Sequence, residues 1–378
     1  MKKCVVVSDS FKGTVSSREI CEIAQRVIPR HFPACEVVCI PVADGGEGTV
    51  DCFIQAMGAQ RVGVTVTNAL GEKSAAAYAR IGELAIIEMA AAAGLPQVGA
   101  LRCPGTATTY GVGELIAHAV DSGCRKILLG LGGSATNDGG CGCAAALGVR
   151  FYDANGQSFV PVGDTLGRIA RIDTAKADEL LRSVEITVMC DVTNPLYGPT
   201  GAAYVFAPQK GADAEKVKSL DAGLRHFGDV IRSQLGIDVS RMPGAGAAGG
   251  MGAGCVALLG GMIQSGIDAV LDVTGFDRQL EGADLVITGE GRIDSQSADG
   301  KVVSGVARHT RAKGVPLIAI AGGIADSAGA VYDIGVSAMF STDRAALPVD
   351  MLGARSPGDY EATLSDIMSL IAIAERFA

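Results

Sequence analysis

Apolar positions along the chain fall into short continuous runs, separated by glycine-rich polar turns and by stretches with helical spacing. Cys4-Val5-Val6-Val7-Ser8 is a β-branched run of the kind expected for a strand buried on both faces. Ile20, Ile23, Ala24, Val27 and Ile28 then recur at helical spacing, and Ser16 stands three residues before Glu19, the capping-box pattern. A second strand is expected over 36–41 and a helix from near Glu47. This strand–helix alternation predicts a parallel sheet covered by helices. The same rhythm returns at the far end, with strands over 283–288, 316–321 and 334–341, a helix over 302–313 and a last helix over 364–377. The middle reads differently. From Arg61 to Met89 the alternations Val62/Val64/Val66 and Ala75/Ala77/Ala79 and the run 84–89 predict antiparallel or mixed strands, with a tight turn at 68–72. Helices near 107–122, 139–147, 213–235 and 249–265 flank strands at 126–131 and 184–190. The pattern therefore predicts an α/β protein. One parallel-sheet domain is built from both chain ends, 1–66 and 283–378, with a mixed-sheet α/β domain over 67–282 inserted between them.

Composition narrows the functional classes. A chain of 378 residues, 48% hydrophobic and 19% charged, can bury a large core and suits two domains at roughly 150 residues each. Glycine supplies 52 residues, about twice the average share of roughly 7%. Glycine used so heavily without a collagen period implies tight turns and close backbone approaches. A net charge of −9 opposes nucleic-acid binding but leaves room for a local anion pocket. The apolar run at the N-terminus is too short for a signal peptide or a membrane span, and later apolar stretches are broken by glycine or charge. A soluble, cytoplasmic protein with no membrane partner is expected. Eleven cysteines include no Cys-x-x-Cys, and the four histidines fall in no zinc-like spacing with them, so reduced, mostly buried thiols are expected. The oligomeric state stays open.

Candidate chemistry concentrates where predicted strands end, which is where ligands bind in open parallel sheets. Asp9-Ser10-Phe11-Lys12-Gly13-Thr14 offers a lysine and hydroxyls beside a helix start, suited to an anion, or a capping turn with a solvated lysine. Asp44-Gly45-Gly46-Glu47-Gly48 places two carboxylates among glycines, a hydroxyl- or metal-binding loop or an ordinary helix cap. Gly132-Gly133-Ser134-Ala135-Thr136-Asn137-Asp138-Gly139-Gly140 leads into a helix and has the makings of a phosphate cradle, though it is neither a Walker A loop nor a dinucleotide fingerprint. Its upstream partner is the hydroxyl-rich helix entry 105–111. Asp191-Val192-Thr193-Asn194 suits a substrate hydroxyl or a hydrated magnesium ion, with an Asx-turn as the plainer reading. Lys210 is a second loop lysine. Glu290-Gly291-Arg292-Ile293-Asp294 sets a guanidinium between carboxylates, where a carboxylate or phosphate could dock bidentately. Glu88-Met89-Ala90 with Gly94 carries the weakest signal, and Glu88 is read equally as a strand-end cap; the segment 244–254 is nearly all Gly and Ala.

Taken together these segments resemble one family, the bacterial-type glycerate kinases. The matching stretches are Asp9-Ser10-Phe11-Lys12, residues 41–49, Glu88-Met89-Ala90-Ala91-Ala92, residues 132–140, residues 190–196, Pro208-Gln209-Lys210-Gly211-Ala212 and residues 288–294, in order along the chain. Ser8, Asn68-Ala69, Val112 and Ala207 depart from the family pattern, and none removes a charged group. The resemblance implies a flavodoxin-like domain joined to an inserted one with the active site between them. It also implies ATP-dependent phosphorylation of D-glycerate to 2-phosphoglycerate. Phosphoryl transfer rests on positioning and charge neutralisation. On that basis Asp191 is expected to accept or orient the hydroxyl proton, with Lys12 and Lys210 neutralising phosphoryl oxygens. Asp9, Ser10, Asp44, Gly45, Gly46, Glu47, Asn194, Glu290, Arg292 and Asp294 are expected to bind substrate or phosphate, Arg292 clamping a carboxylate. Gly132, Gly133, Ser134, Thr136, Asn137 and Asp138 are expected to cradle the nucleotide, and Asp44 or Glu290 to hold Mg²⁺. The alternatives are a kinase for another small hydroxy acid, a nicotinamide-dependent oxidoreductase and a non-catalytic anion-binding module. The oxidoreductase lacks a GxGxxG turn after the first strand and a ribose-binding acid about 20 residues beyond one.

Overall fold

The computed structural model describes residues 1–11, 14–42, 48–298, 302–345 and 355–377, and Lys12, Asp44, Gly45, Gly46 and Glu47 lie outside them. The chain divides into two compact units, Met1–Ala43 with Ile267–Ala378, and Asp44–Gly266. Sequence patterning put the divisions near 66 and 283. The units part earlier because the strand Gln60–Thr67 pairs along its whole length with Lys73–Ile81, and the helix Thr49–Met57 packs on that same sheet.

The unit made of the chain ends holds five strands: β1 (Lys3–Ser8), β2 (Glu36–Pro41), β12 (Leu285–Ile293), β13 (Leu317–Ile324) and β14 (Ala338–Ser341). All pair in parallel, in the spatial order β14-β13-β12-β1-β2. Counted within the unit this is 2-1-3-4-5, the doubly wound order of flavodoxin-like folds. Val5, Val6, Val7, Val286 and Ile287 are fully buried, as continuous apolar runs require in a sheet covered on both faces. The helix Ser17–His31 opens with the expected capping box: Ser16 Oγ accepts from Glu19 N at 3.2 Å, and Ser16 N donates to Glu19 Oε2 at 2.9 Å. Its apolar stripe packs against the helix Ser356–Ala374.

The other unit contains β3 (Gln60–Thr67), β4 (Lys73–Ile81), β5 (Leu84–Glu88), β6 (Lys126–Gly130), β10 (Glu185–Met189) and β11 (Met262–Gln264) in one mixed sheet ordered β11-β10-β6-β5-β4-β3. Strands β5, β6, β10 and β11 run parallel, and β3 and β4 are antiparallel additions. The helices Tyr110–Asp121, Cys141–Ala146, Ala214–Leu235 and Ala247–Leu259 share its core.

Three features differ from the pattern-based expectation. Strand β12 runs on to Ile293, pairing Glu290 with Ala321 and Arg292 with Gly323, so the Glu-Gly-Arg segment is strand and not loop. The small residues of β13 admit that close pairing, a non-local fact that glycine-flanked charges conceal. The helix expected through 265 ends at Leu259, stopped by Gly260 in the left-handed region (φ 65°), and β11 follows it. A small antiparallel sheet of β7 (Arg150–Tyr152), β8 (Ser158–Phe159) and β9 (Arg171–Asp173) carried too few residues to register as periodicity. Among the described residues no helix is long and apolar enough to cross a membrane, and the ten cysteines whose side chains are described are free thiols.

Candidate active site

In the unit Asp44–Gly266 the chemistry gathers after β6. Residues 131–140 leave that strand as a loop pinned on several sides. Leu95 N donates to Gly133 O (2.9 Å), Ala135 N to Ala93 O (2.8 Å) and Gly139 N to Gly249 O (3.0 Å). Gly133 takes a positive φ of 71°, a conformation a side chain would strain. The Asp138 carboxylate is fully buried and turned into the fold. It accepts from Thr109 N and Oγ1 at 2.8 Å, from Gly140 N at 3.1 Å and from Gly142 N at 3.2 Å. Asp138 therefore shapes the loop from within. Burial draws its pKa upward against these donors, which favour the charged form. Thr136 and Asn137 are also fully buried. Thr136 Oγ1 and both amide atoms of Asn137 lack a hydrogen-bond partner among the described residues.

Lys210 ends the short 3₁₀ turn Pro208–Lys210 and reaches back to this loop. Its Nζ donates to Ser134 Oγ and to Thr136 O, each at 2.7 Å, and the residue is only 2% exposed. Burial penalises the ammonium and brings its pKa down to about 7, with Asp138 acting in the opposite sense. Lys210, Gly132, Gly133, Ser134 and Asp191 stand on the wall of one cavity of about 270 Å³. Leu95, Leu131, Met189, Phe206, Ala247 and Ala248 complete it with apolar surface. Apolar walls with a few convergent polar groups are the usual make-up of a small-molecule site.

Asp191 follows β10 on an exposed turn, where its Oδ1 accepts from Gly266 N at 2.8 Å. Asn194 serves the turn itself, its Nδ2 donating to Thr200 O at 2.8 Å. The hydroxyl-rich entry 105–111 expected beside this loop meets it through Thr109, which donates to Asp138, whereas the apolar wall was not visible in the sequence. In the Gly/Ala segment 244–254 Ala248 adopts a left-handed backbone (φ 53°, ψ 40°) with Gly249 and Gly250, and Ala247 and Ala248 face the cavity.

In the unit made of the chain ends, β1 and β12 are neighbours from which the chain winds outward in opposite directions. Such a switch point is where doubly wound sheets bind ligands. Asp9 N donates to Gly289 O (2.9 Å) and Ser10 N to Asp9 Oδ1 (2.6 Å), which fixes the turn leaving β1. Glu290 is buried on β12, and Arg292 is exposed two residues on, with no ion-pair partner among the described residues. Asp294 accepts from Gln296 N (2.9 Å) and so serves the following 3₁₀ turn, Ser295–Ala298. Among the described residues no group of three or more His, Cys, Asp or Glu is placed to hold a metal ion.

Comparison with known proteins bears on this arrangement along its whole length. The family model for the glycerate kinase family matches residues 4–372. The glycerate kinase of Bacillus cereus is 45% identical over 377 residues, covering 99% of both chains. The glycerate 2-kinase of Escherichia coli K12 is 46% identical over 343 residues, covering 90% of each. A crystal structure of a chain assigned as glycerate kinase 2 from Salmonella typhimurium LT2 superposes with a TM-score of 0.87 at 39% identity, covering 99% of both chains. With a family match over nearly every residue and relatives this similar across it, the chain is a kinase and belongs to the glycerate kinase family.

Proposed function

We propose that this chain transfers the terminal phosphoryl group of ATP to the 2-hydroxyl of D-glycerate, giving 2-phosphoglycerate and ADP. The observation that carries the reading is the cavity on which a glycine-rich loop, the buried Lys210 ammonium and the Asp191 carboxylate stand together. Such a site can neutralise phosphate oxygens and hold a hydroxyl without covalent chemistry of its own, which is what phosphoryl transfer asks of a protein.

In this mechanism the glycerate hydroxyl oxygen attacks the γ-phosphorus, and the bond from phosphorus to the β,γ-bridging oxygen breaks, leaving ADP. Asp191 receives or orients the hydroxyl proton. The backbone at Gly132–Gly133 and the Ser134 hydroxyl direct the phosphate chain, and Lys210 offsets its charge. Asp138 and the Thr136 carbonyl hold the loop in shape from behind the cavity, and Asn137 is assigned to the nucleotide. Lys12 is assigned to phosphoryl oxygens. Arg292, exposed and without an ion-pair partner among the described residues, is assigned to a carboxylate or phosphate through its planar fork. Asp9 and Ser10, with Gly45, Gly46 and Glu47, are assigned to substrate contacts, while Asn194 and Asp294 keep their turns in register. A Mg²⁺ ion bound with the nucleotide would supply charge neutralisation at its phosphates. One or two carboxylates suffice for that ion, and Glu290 or Asp44 would supply them.

A coupled ADP-release assay with D-glycerate, lactate and serine tests the reading. Turnover is expected with D-glycerate well above the other two. Asp191→Asn is expected to lower kcat by about 10²-fold or more with the fold intact. Equal ADP release with all three acids would remove glycerate as the substrate, and an unchanged kcat would take Asp191 out of the chemistry.

A further inference from the structure

Among the described residues Lys210 is the sole buried cation, Asp138 acts on it only at a distance, and no carboxylate stands within ion-pair reach of its Nζ. Its two acceptors, Ser134 Oγ and Thr136 O, are both neutral. An ammonium carries three donors, so one is left over beside the cavity that Lys210 lines. The charged groups around it come from three directions. Asp138, on the loop behind, has its oxygens occupied by Thr109, Gly140 and Gly142. Asp191 lies on the same cavity wall and binds Gly266 N. Arg102, of like charge, donates from Nη1 to Gln209 O at 3.0 Å, one residue from Lys210. A buried charge is costly unless it is paired, and lysine, unlike arginine, escapes the cost by releasing its proton. Near neutral pH the side chain in the ligand-free protein is therefore divided between ammonium and amine.

We propose that Lys210 couples ligand binding to proton uptake. The anionic group of a ligand entering this cavity supplies a counter-ion at contact distance, and Lys210 takes up a proton as it binds. The anion is a phosphate or a carboxylate, and assigning it to the nucleotide or to the hydroxy acid rests on the function proposed above. A purely structural Lys210, serving only to tie the loop to the 3₁₀ turn, would bind ligand without exchanging protons, because the amine keeps two donors for the same two acceptors.

Calorimetric titration of the whole chain, in two buffers of different ionisation enthalpy at pH 6 and pH 8, counts the protons. One arm uses MgADP and the other D-glycerate. In at least one arm binding at pH 8 is expected to take up about one proton per site, falling toward none at pH 6 where Lys210 is already charged. Lys210→Met is expected to abolish the uptake in that arm and to weaken binding there. The arm that shows the uptake identifies the anion. Should Lys210→Met fail to fold, the wild-type pH profile serves. kcat/KM for that ligand should fall by about tenfold per pH unit above the free-enzyme pKa while kcat stays level.

Proton counts equal at the two pH values in both arms, uptake retained by Lys210→Met, no binding in either arm, or parallel loss of kcat and kcat/KM would each overturn the proposal. ADP release from glycerate without proton-linked binding sinks this inference and leaves the proposed reaction standing. Proton-linked MgADP binding by a chain that ignores glycerate does the reverse.

Discussion

Four donors converge on the Asp138 carboxylate, two from Thr109 in the hydroxyl-rich entry 105–111 and one each from Gly140 and Gly142. The sequence marked 132–140 as a loop suited to an anion, and the residues that line the cavity, Gly132, Gly133 and Ser134, come from its start. It did not distinguish those from Thr136, Asn137 and Asp138, which are buried behind them. A loop has no period, so which side each residue faces depends on partners far along the chain, here Ala93, Thr109 and Gly249. A carboxylate in that position is a shaping element. Asp138→Asn turns an acceptor into a partial donor against backbone N–H groups, and each buried donor left unsatisfied costs about 1–3 kcal/mol. Chemical denaturation should therefore show Asp138→Asn destabilised by at least about 2 kcal/mol. A midpoint equal to that of the wild type would show those hydrogen bonds to be dispensable.

At the scale of elements, helices with their own start signals were the most legible. Ser16 and Glu19 announced the helix Ser17–His31, and the reciprocal hydrogen bonds are present. Ser16→Ala should lower stability by about 1 kcal/mol, read as a drop in Tm, with kcat unchanged because the cap only closes a helix end. An unaltered Tm would mean that tertiary packing alone fixes this end. Strand limits were less legible. Glu290 and Arg292 read as loop residues because glycines flank them, whereas they ride on β12 beside the small residues of β13. That placement matters for chemistry, since a strand holds a guanidinium more rigidly than a loop does.

For the whole molecule, the parallel sheet formed from both chain ends and the mixed sheet of the inserted segment were both foreshadowed, because continuous apolar runs and alternating ones differ in the sequence itself. The dividing points were harder to see, since membership of a unit is decided by pairing: β3 follows its partner β4, and no local signal at Asp44 records this. The comparisons span the same full length, so the family assignment applies to both units together.

Transfer to the 2-hydroxyl of glycerate is read out by phosphorus NMR of the products from the whole chain with ATP, Mg²⁺ and D-glycerate. A new phosphomonoester resonance split into a doublet by the single proton on C2 is expected, growing as ADP forms. A triplet from the two methylene protons of C3, or inorganic phosphate as the sole new signal, would contradict it.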